Sequence, residues 1–151
     1  MSQLSASRSV MVSAPRESIR IYLQDLKNVA QYEEKVDSVS VDGDKASVSG
    51  RFLGLPWSGE FSVQFTSDGG YRAEMTSGAL KRMVCAYTLR SVSGGTIITH
   101  EETYQFSLLA RPVMRMFRGW LGHTMELELG VIKEEAERLN RRLQLERIES
   151  V

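Results

Sequence analysis

The chain has 151 residues, with 19 Lys and Arg balanced by 19 Asp and Glu, so no overall field attracts a polyanion and no nucleic-acid partner is expected. Its one cysteine, Cys85, excludes an internal disulfide and a multi-cysteine metal cluster, and reads as a small hydrophobe on an apolar strand face. The opening MSQLSASRSV has no apolar run of signal-peptide length and no later segment approaches a membrane span, so a soluble, cytoplasmic single domain over 1–151 is expected.

In chain order, SVMVS at 9–13 is a strand candidate that runs into Ala14-Pro15. Proline suits a first helical turn, Glu17 suits the positive end of the helix dipole, and Ile19, Tyr22, Leu23 and Leu26 recur at helical spacing. Asn28 is the expected cap of a second short helix carrying Val29 and Tyr32. From Val36 to about 107 the period changes to two, interrupted by Asp42-Gly43-Asp44, Gly54-Leu55-Pro56, Asp68-Gly69-Gly70 and Gly94-Gly95, which predicts an antiparallel meander. Trp57, Gly59, Phe61, Val63 and Phe65 form its apolar row, continued by Tyr71, Ala73 and Met75 and by Met83, Cys85, Tyr87 and Leu89.

The last strand candidate, IITHEETYQF at 97–106, splits into two rows. Ile98, His100, Glu102, Tyr104 and Phe106 form the more apolar one, which carries His100 and Glu102 inward with it. A bulge would invert the rows and turn Glu101 in instead. Beyond Arg111-Pro112, a long amphipathic helix is predicted to about 145, with Val113, Phe117, Leu121, Met125, Ile132, Ala136, Leu139 and Leu143 on one stripe. Met116, Trp120, His123 and Leu127 widen its apolar side, and Gly119, Gly122 and Gly130 interrupt it, through close approach to the sheet or a ligand, or through a kink.

Strand, two short helices, consecutive antiparallel strands and one long terminal helix make an α+β helix-grip arrangement. On VMVSAPRESIRIYLQDLKNVAQYEEKVDSV, SGGTIITHEETYQF and the helix from Pro112, nearly the whole chain resembles the START-like superfamily, in its polyketide cyclase/dehydrase and coenzyme Q-binding-like branch. Where many relatives carry a proline before the second strand, this chain has Glu33-Glu34-Lys35. The resemblance implies a curved sheet wrapped around the terminal helix and an apolar cavity between them, with no cofactor.

Trp57, Phe61, Val63, Met75, Tyr87, Ile98, Met116, Trp120 and His123 are the expected cavity lining, suited to a lipid, isoprenoid quinone or polyketide-like ligand. His100 and Glu102 offer an acid/base pair and Tyr104 a donor to a developing oxyanion, which would serve a cyclase/dehydratase; orienting a ligand without chemistry is the plainer role. A zinc site from His100, Glu102 and His123 has suitable ligand types but no spacing that fixes a tetrahedron, so no metal is expected. In FLGLPWSG, Leu53, Leu55 and Trp57 make the Gly54-Leu55-Pro56 turn unusually apolar, and it resembles the gate loop of plant abscisic acid receptors. A lid, a transient contact with a membrane or protein, and a turn packed on the helix pair all remain open, as does a protein-interaction module.

Overall fold

The computed structural model describes residues 2–52, 54–78, 80 and 82–150. Strand β1 (Ser2–Val12) leads into helix α1 (Arg16–Leu23), a 3-10 turn at Leu26–Asn28 and helix α2 (Val29–Tyr32). Strands β2 (Ser38–Asp42), β3 (Lys45–Phe52), β4 (Leu55–Phe65), β5 (Tyr71–Gly78), β6 (Arg82–Val92) and β7 (Gly95–Phe106) follow, then a 3-10 turn at Leu108–Ala110 and helix α3 (Arg111–Glu149). The strands form one curved antiparallel sheet in the order β1-β7-β6-β5-β4-β3-β2, which grips α3: the helix-grip fold.

One boundary and one capping contact differ from the sequence pattern. β1 begins at Ser2 rather than residue 9, because its polar first half pairs with β7 all the way from Ser2 opposite Phe106 to Val12 opposite Thr96. Long-range ladder bonds there outweigh weak local alternation. Asn28 does occupy the N-cap position of α2 but makes no side-chain cap bond, its Nδ2 donating instead to the Tyr22 carbonyl at 2.9 Å; Asp25 caps the preceding 3-10 turn, its side chain accepting from the Lys27 N–H.

The inner strand rows follow period two. Gly59, Phe61 and Val63 on β4, Tyr71, Ala73 and Met75 on β5, and Met83, Tyr87 and Leu89 on β6 are buried, while Phe65 at the end of β4 is exposed. β7 has no bulge, and Ile98, His100, Glu102, Tyr104 and Phe106 all face inward.

On α3, Met114, Phe117, Leu121, Met125, Leu129, Ile132 and Ala136 meet the sheet, each fully buried large side chain contributing about 1.5–3 kcal/mol. Val113 is exposed and Met114 takes its expected place. The wider apolar side is not inward: Met116 is 84% exposed, and Leu127 and His123 are exposed too. One residue is 100° of helix, so a face fixed by Phe117, Leu121 and Met125 turns Met116 away. Gly119 and Gly130 have open space where a Cβ would stand, so neither marks a close approach.

The segment after α2 lies flat on β3. A Cβ at Gly50 would fall 1.8 Å from the Lys35 carbonyl oxygen, so only glycine lets the two backbones meet there. Trp57 Nε1 donates to that same oxygen at 2.9 Å, and the Asp37 N–H donates to the Ser49 carbonyl. These contacts fix where the Lys35 side chain enters the interior.

Candidate functional site

β7 carries the first three polar side chains inward. His100 Nε2 lies 3.0 Å from Glu102 Oε1, Tyr104 donates to Glu102 Oε2 at 2.6 Å, and His100 Nδ1 faces the Ala86 carbonyl at 3.2 Å. The Tyr87 ring stacks on the imidazole at 4.0 Å between centroids, which fixes its plane.

Three further charged residues, absent from the sequence-based set, complete the cluster. Lys35 Nζ lies 2.8 Å from Glu33 Oε1, 3.6 Å from Glu102 Oε1 and 3.7 Å from Glu128 Oε1, and Glu128 Oε2 lies 3.4 Å from His100 Nε2. The Lys35–Glu33 contact lacks the angle of a directed hydrogen bond. Among the described residues, Glu33 Oε1, Lys35 Nζ, Tyr87 OH and both Glu128 oxygens are buried with no hydrogen-bond partner. Such atoms are costly to bury, and the charge contacts among Lys35, Glu33, Glu128 and His100 offset part of that cost.

Burial opposes every charge here, and the neighbours decide which survive. For His100 burial is overcome by the hydrogen bond to Glu102 and the Glu128 carboxylate 3.4 Å away, and its pKa rises to about 10. For Glu102 burial is overcome by the Lys35 charge and the His100 hydrogen bond, and its pKa falls to about 2. Lys35, desolvated but facing Glu102 and Glu33, is held well above the usual ammonium range. At Glu33 burial wins over Lys35 and raises the pKa to about 8, so this carboxyl keeps its proton at neutral pH and relieves repulsion among the three acids.

Two apolar lobes flank Lys35. One, about 70 Å³, is bounded by Glu33, Lys35, Trp57, Phe61, Val63 and Tyr87, among others. The larger, about 150 Å³, lies between Phe52, Trp57, Met75, Leu80, Met83, Tyr104, Met114 and Phe117. Lys35, Trp57 and Met83 border both.

Of the expected lining, Trp57, Phe61, Val63, Met75 and Tyr87 therefore face a lobe, and so does Tyr104. Ile98, His100 and Glu102 are buried behind the lobes and line neither. Met116 and His123 point outward, and Trp120 is half-buried against Phe52 and Phe117, with Lys35 Nζ 5.8 Å from its ring centre; none of the three lines a lobe. Gly54-Leu55-Pro56 is a hairpin tip rather than a separate loop: Gly54 has φ 81°, and Leu55 and Pro56 already pair with Phe52 and Arg51. Leu53 lies outside the described residues.

Chemically, the wall of the larger lobe is apolar throughout and that of the smaller one nearly so: Lys35, Glu33, Tyr87 and Tyr104 border the lobes, but the Lys35 ammonium, the Tyr87 hydroxyl and Glu33 Oε1 are buried in the polar cluster behind them. The imidazolium of His100, with Glu102 already engaged by His100 and Tyr104, forms a support behind them. Burial raises the Cys85 thiol, so it is no ready nucleophile. Glu33, His100, Glu102 and Glu128 bring ligand atoms within 4.8 Å of one another, a donor set a metal could use. Lys35 stands within 4 Å of all three carboxylates and supplies the positive charge there itself. His123 is remote from this set, so the histidine pair considered for zinc is not brought together.

No family model matches the sequence and no curated protein is significantly similar to it. Solved structures match well. A START superfamily protein from Mycobacterium smegmatis has a TM-score of 0.73 at 15% identity, covering 89% of this chain and 98% of that one. The Zhui aromatase/cyclase from Streptomyces sp. R1128 has a TM-score of 0.72 at 12% identity, covering 91% and 95%. The di-domain aromatase/cyclase StfQ of the steffimycin biosynthetic pathway has a TM-score of 0.75 at 11% identity, over 90% of this chain and 51% of that one. These likenesses show the START-like helix-grip fold.

Proposed function

We propose that the protein binds and carries a hydrophobic small molecule of the lipid, isoprenoid quinone or polyketide-like class, with an apolar group in the larger lobe and a polar oxygen on Lys35. One observation carries the reading: the Lys35 side chain forms part of the wall shared by two apolar lobes, and its ammonium, within 4 Å of Glu33, Glu102 and Glu128, is buried directly behind that wall. A buried cation so placed selects a hydroxyl or carbonyl at the end of an apolar body. A lobe of about 150 Å³ takes a benzene-sized group as it stands. A larger ligand requires Met75, Met83 and Met114 to repack, which unbranched side chains do at low cost. The reading takes 1–151 as one cytoplasmic domain, with no cofactor and no nucleic-acid partner.

A second reading, a cyclase/dehydratase, draws support from the aromatase/cyclase neighbours. On this geometry its working groups are Lys35, to hold an oxyanion, and Glu33, to move a proton, since both border the smaller lobe; His100 and Glu102 hold them in place. Native mass spectrometry of the purified protein, followed by organic extraction, tests the first reading. A bound apolar molecule carrying one oxygen function, lost in Lys35→Met, supports it. A protein that neither retains nor takes up such a molecule overturns it, and turnover of a bound polyketide-like compound favours the enzyme.

A further inference from the structure

The larger lobe is rimmed by apolar side chains that point away from the core. Leu109 is 94% exposed on the 3-10 turn before α3, Leu108 beside it is exposed, and so are Val113 and Met116 on the first two turns of α3. Leu55 is exposed at the β3–β4 tip, paired with Phe52, which lines the lobe. Val113 and Met116 adjoin Met114 and Phe117, which line it too. Arg111, Arg115 and Arg118 are exposed among these residues. The chain has no Asp or Glu from Thr103 to Met125, or from Arg51 to Gly59, where Arg51 is also exposed. Glu126, the first acid beyond, pairs with Arg8 at 3.4 Å.

We propose that this rim docks on the surface of an anionic lipid bilayer. Protruding leucines and methionine at the ends of separate elements enter the boundary of the acyl chains, and arginines without competing acids meet the phosphates. Contact is peripheral, because no helix of the described residues is long and apolar enough to cross a membrane. The surface stands on exposed residues alone and is independent of what the cavity carries.

Flotation of the whole protein with vesicles of phosphatidylcholine, with and without phosphatidylglycerol, tests it. Retention by the anionic vesicles at low salt is expected, weakened by added salt. Leu109→Glu and Met116→Glu should each lower binding at least about tenfold, the loss that follows from keeping one large apolar side chain out of the bilayer. Arg111→Gln and Arg115→Gln should each lower it about fivefold on anionic vesicles alone. Leu145→Glu, at an exposed site near the far end of α3, should change nothing. No retention by anionic vesicles at low salt, equal retention by neutral ones, or an equal loss from Leu145→Glu would overturn the proposal. Self-association abolished by Leu109→Glu in a protein that ignores vesicles would do so as well.

Discussion

The Lys35 carbonyl and Gly50 lie in direct backbone contact, so close that an added methyl would stand 1.8 Å from the oxygen and 2.9 Å from the Val36 Cα. Backbone cannot yield there as a flexible side chain would. Gly50→Ala should therefore lift the 35–36 segment off β3, costing roughly 3 kcal/mol and displacing Lys35 from the lobes. A denaturation midpoint unchanged from that of the parent protein would show that the contact does not constrain the segment.

Removing the ammonium leaves Glu33, Glu102 and Glu128 facing one another without their shared cation. Breaking a buried charge set in this way costs about 3–5 kcal/mol, more than the cluster's net worth to the fold. Lys35→Met should lose about that much, and adding Glu102→Gln should restore part of it, because one uncompensated carboxylate is then gone. Urea unfolding of the single and double variants decides: strictly additive losses would mean that Lys35 and Glu102 do not interact.

The pH profile has a definite sign. Glu102 is held at about 2 against an ordinary 4.5, so its contribution is present above 4.5 and is lost as pH falls toward 2. His100, at about 10 against 6.5, contributes fully below 6.5 and loses that contribution as pH rises to 10. Glu33, at about 8 against 4.5, holds its proton more tightly in the fold, so its contribution also declines as pH rises from 4.5 to 8. Stability should fall on both sides of mildly acid pH, and His100→Gln and Glu33→Gln should each flatten the alkaline limb. Guanidinium midpoints measured across the range test this, and a parent protein equally stable at pH 6.5 and pH 10 would contradict it.

Period two placed the inner rows of β4 to β7, including a histidine and a glutamate inside, because a half-buried sheet imposes its alternation on the sequence. Local pattern could not supply what each polar group meets. Glu128 lies three residues after Met125 and four before Ile132, on the core stripe itself, and that spacing was its available signal. Lys35 gave none beyond its place in Glu33-Glu34-Lys35, since its burial depends on Gly50 and Trp57 from later strands. The wide apolar side of α3 misled for a physical reason: a helix end whose outer face is apolar looks, in one dimension, like a helix with a broad inner face.

That outer face separates two substitutions on neighbouring turns. Met114 is buried against the larger lobe, whereas Gly119 has no atom within 4 Å of its Cβ direction. Met114→Trp should fill much of the lobe's roughly 150 Å³ and lower uptake of a benzene-sized probe by tenfold or more, with stability held or slightly raised as void is removed. Gly119→Leu adds a side chain that points outward, so uptake should be unchanged, and stability should rise by about 1 kcal/mol from helix propensity alone. Titration of both variants with one soluble aromatic probe compares them directly. Loss of uptake in Gly119→Leu would place the cavity on the other side of α3, and unaltered uptake in Met114→Trp would remove the larger lobe as the binding volume.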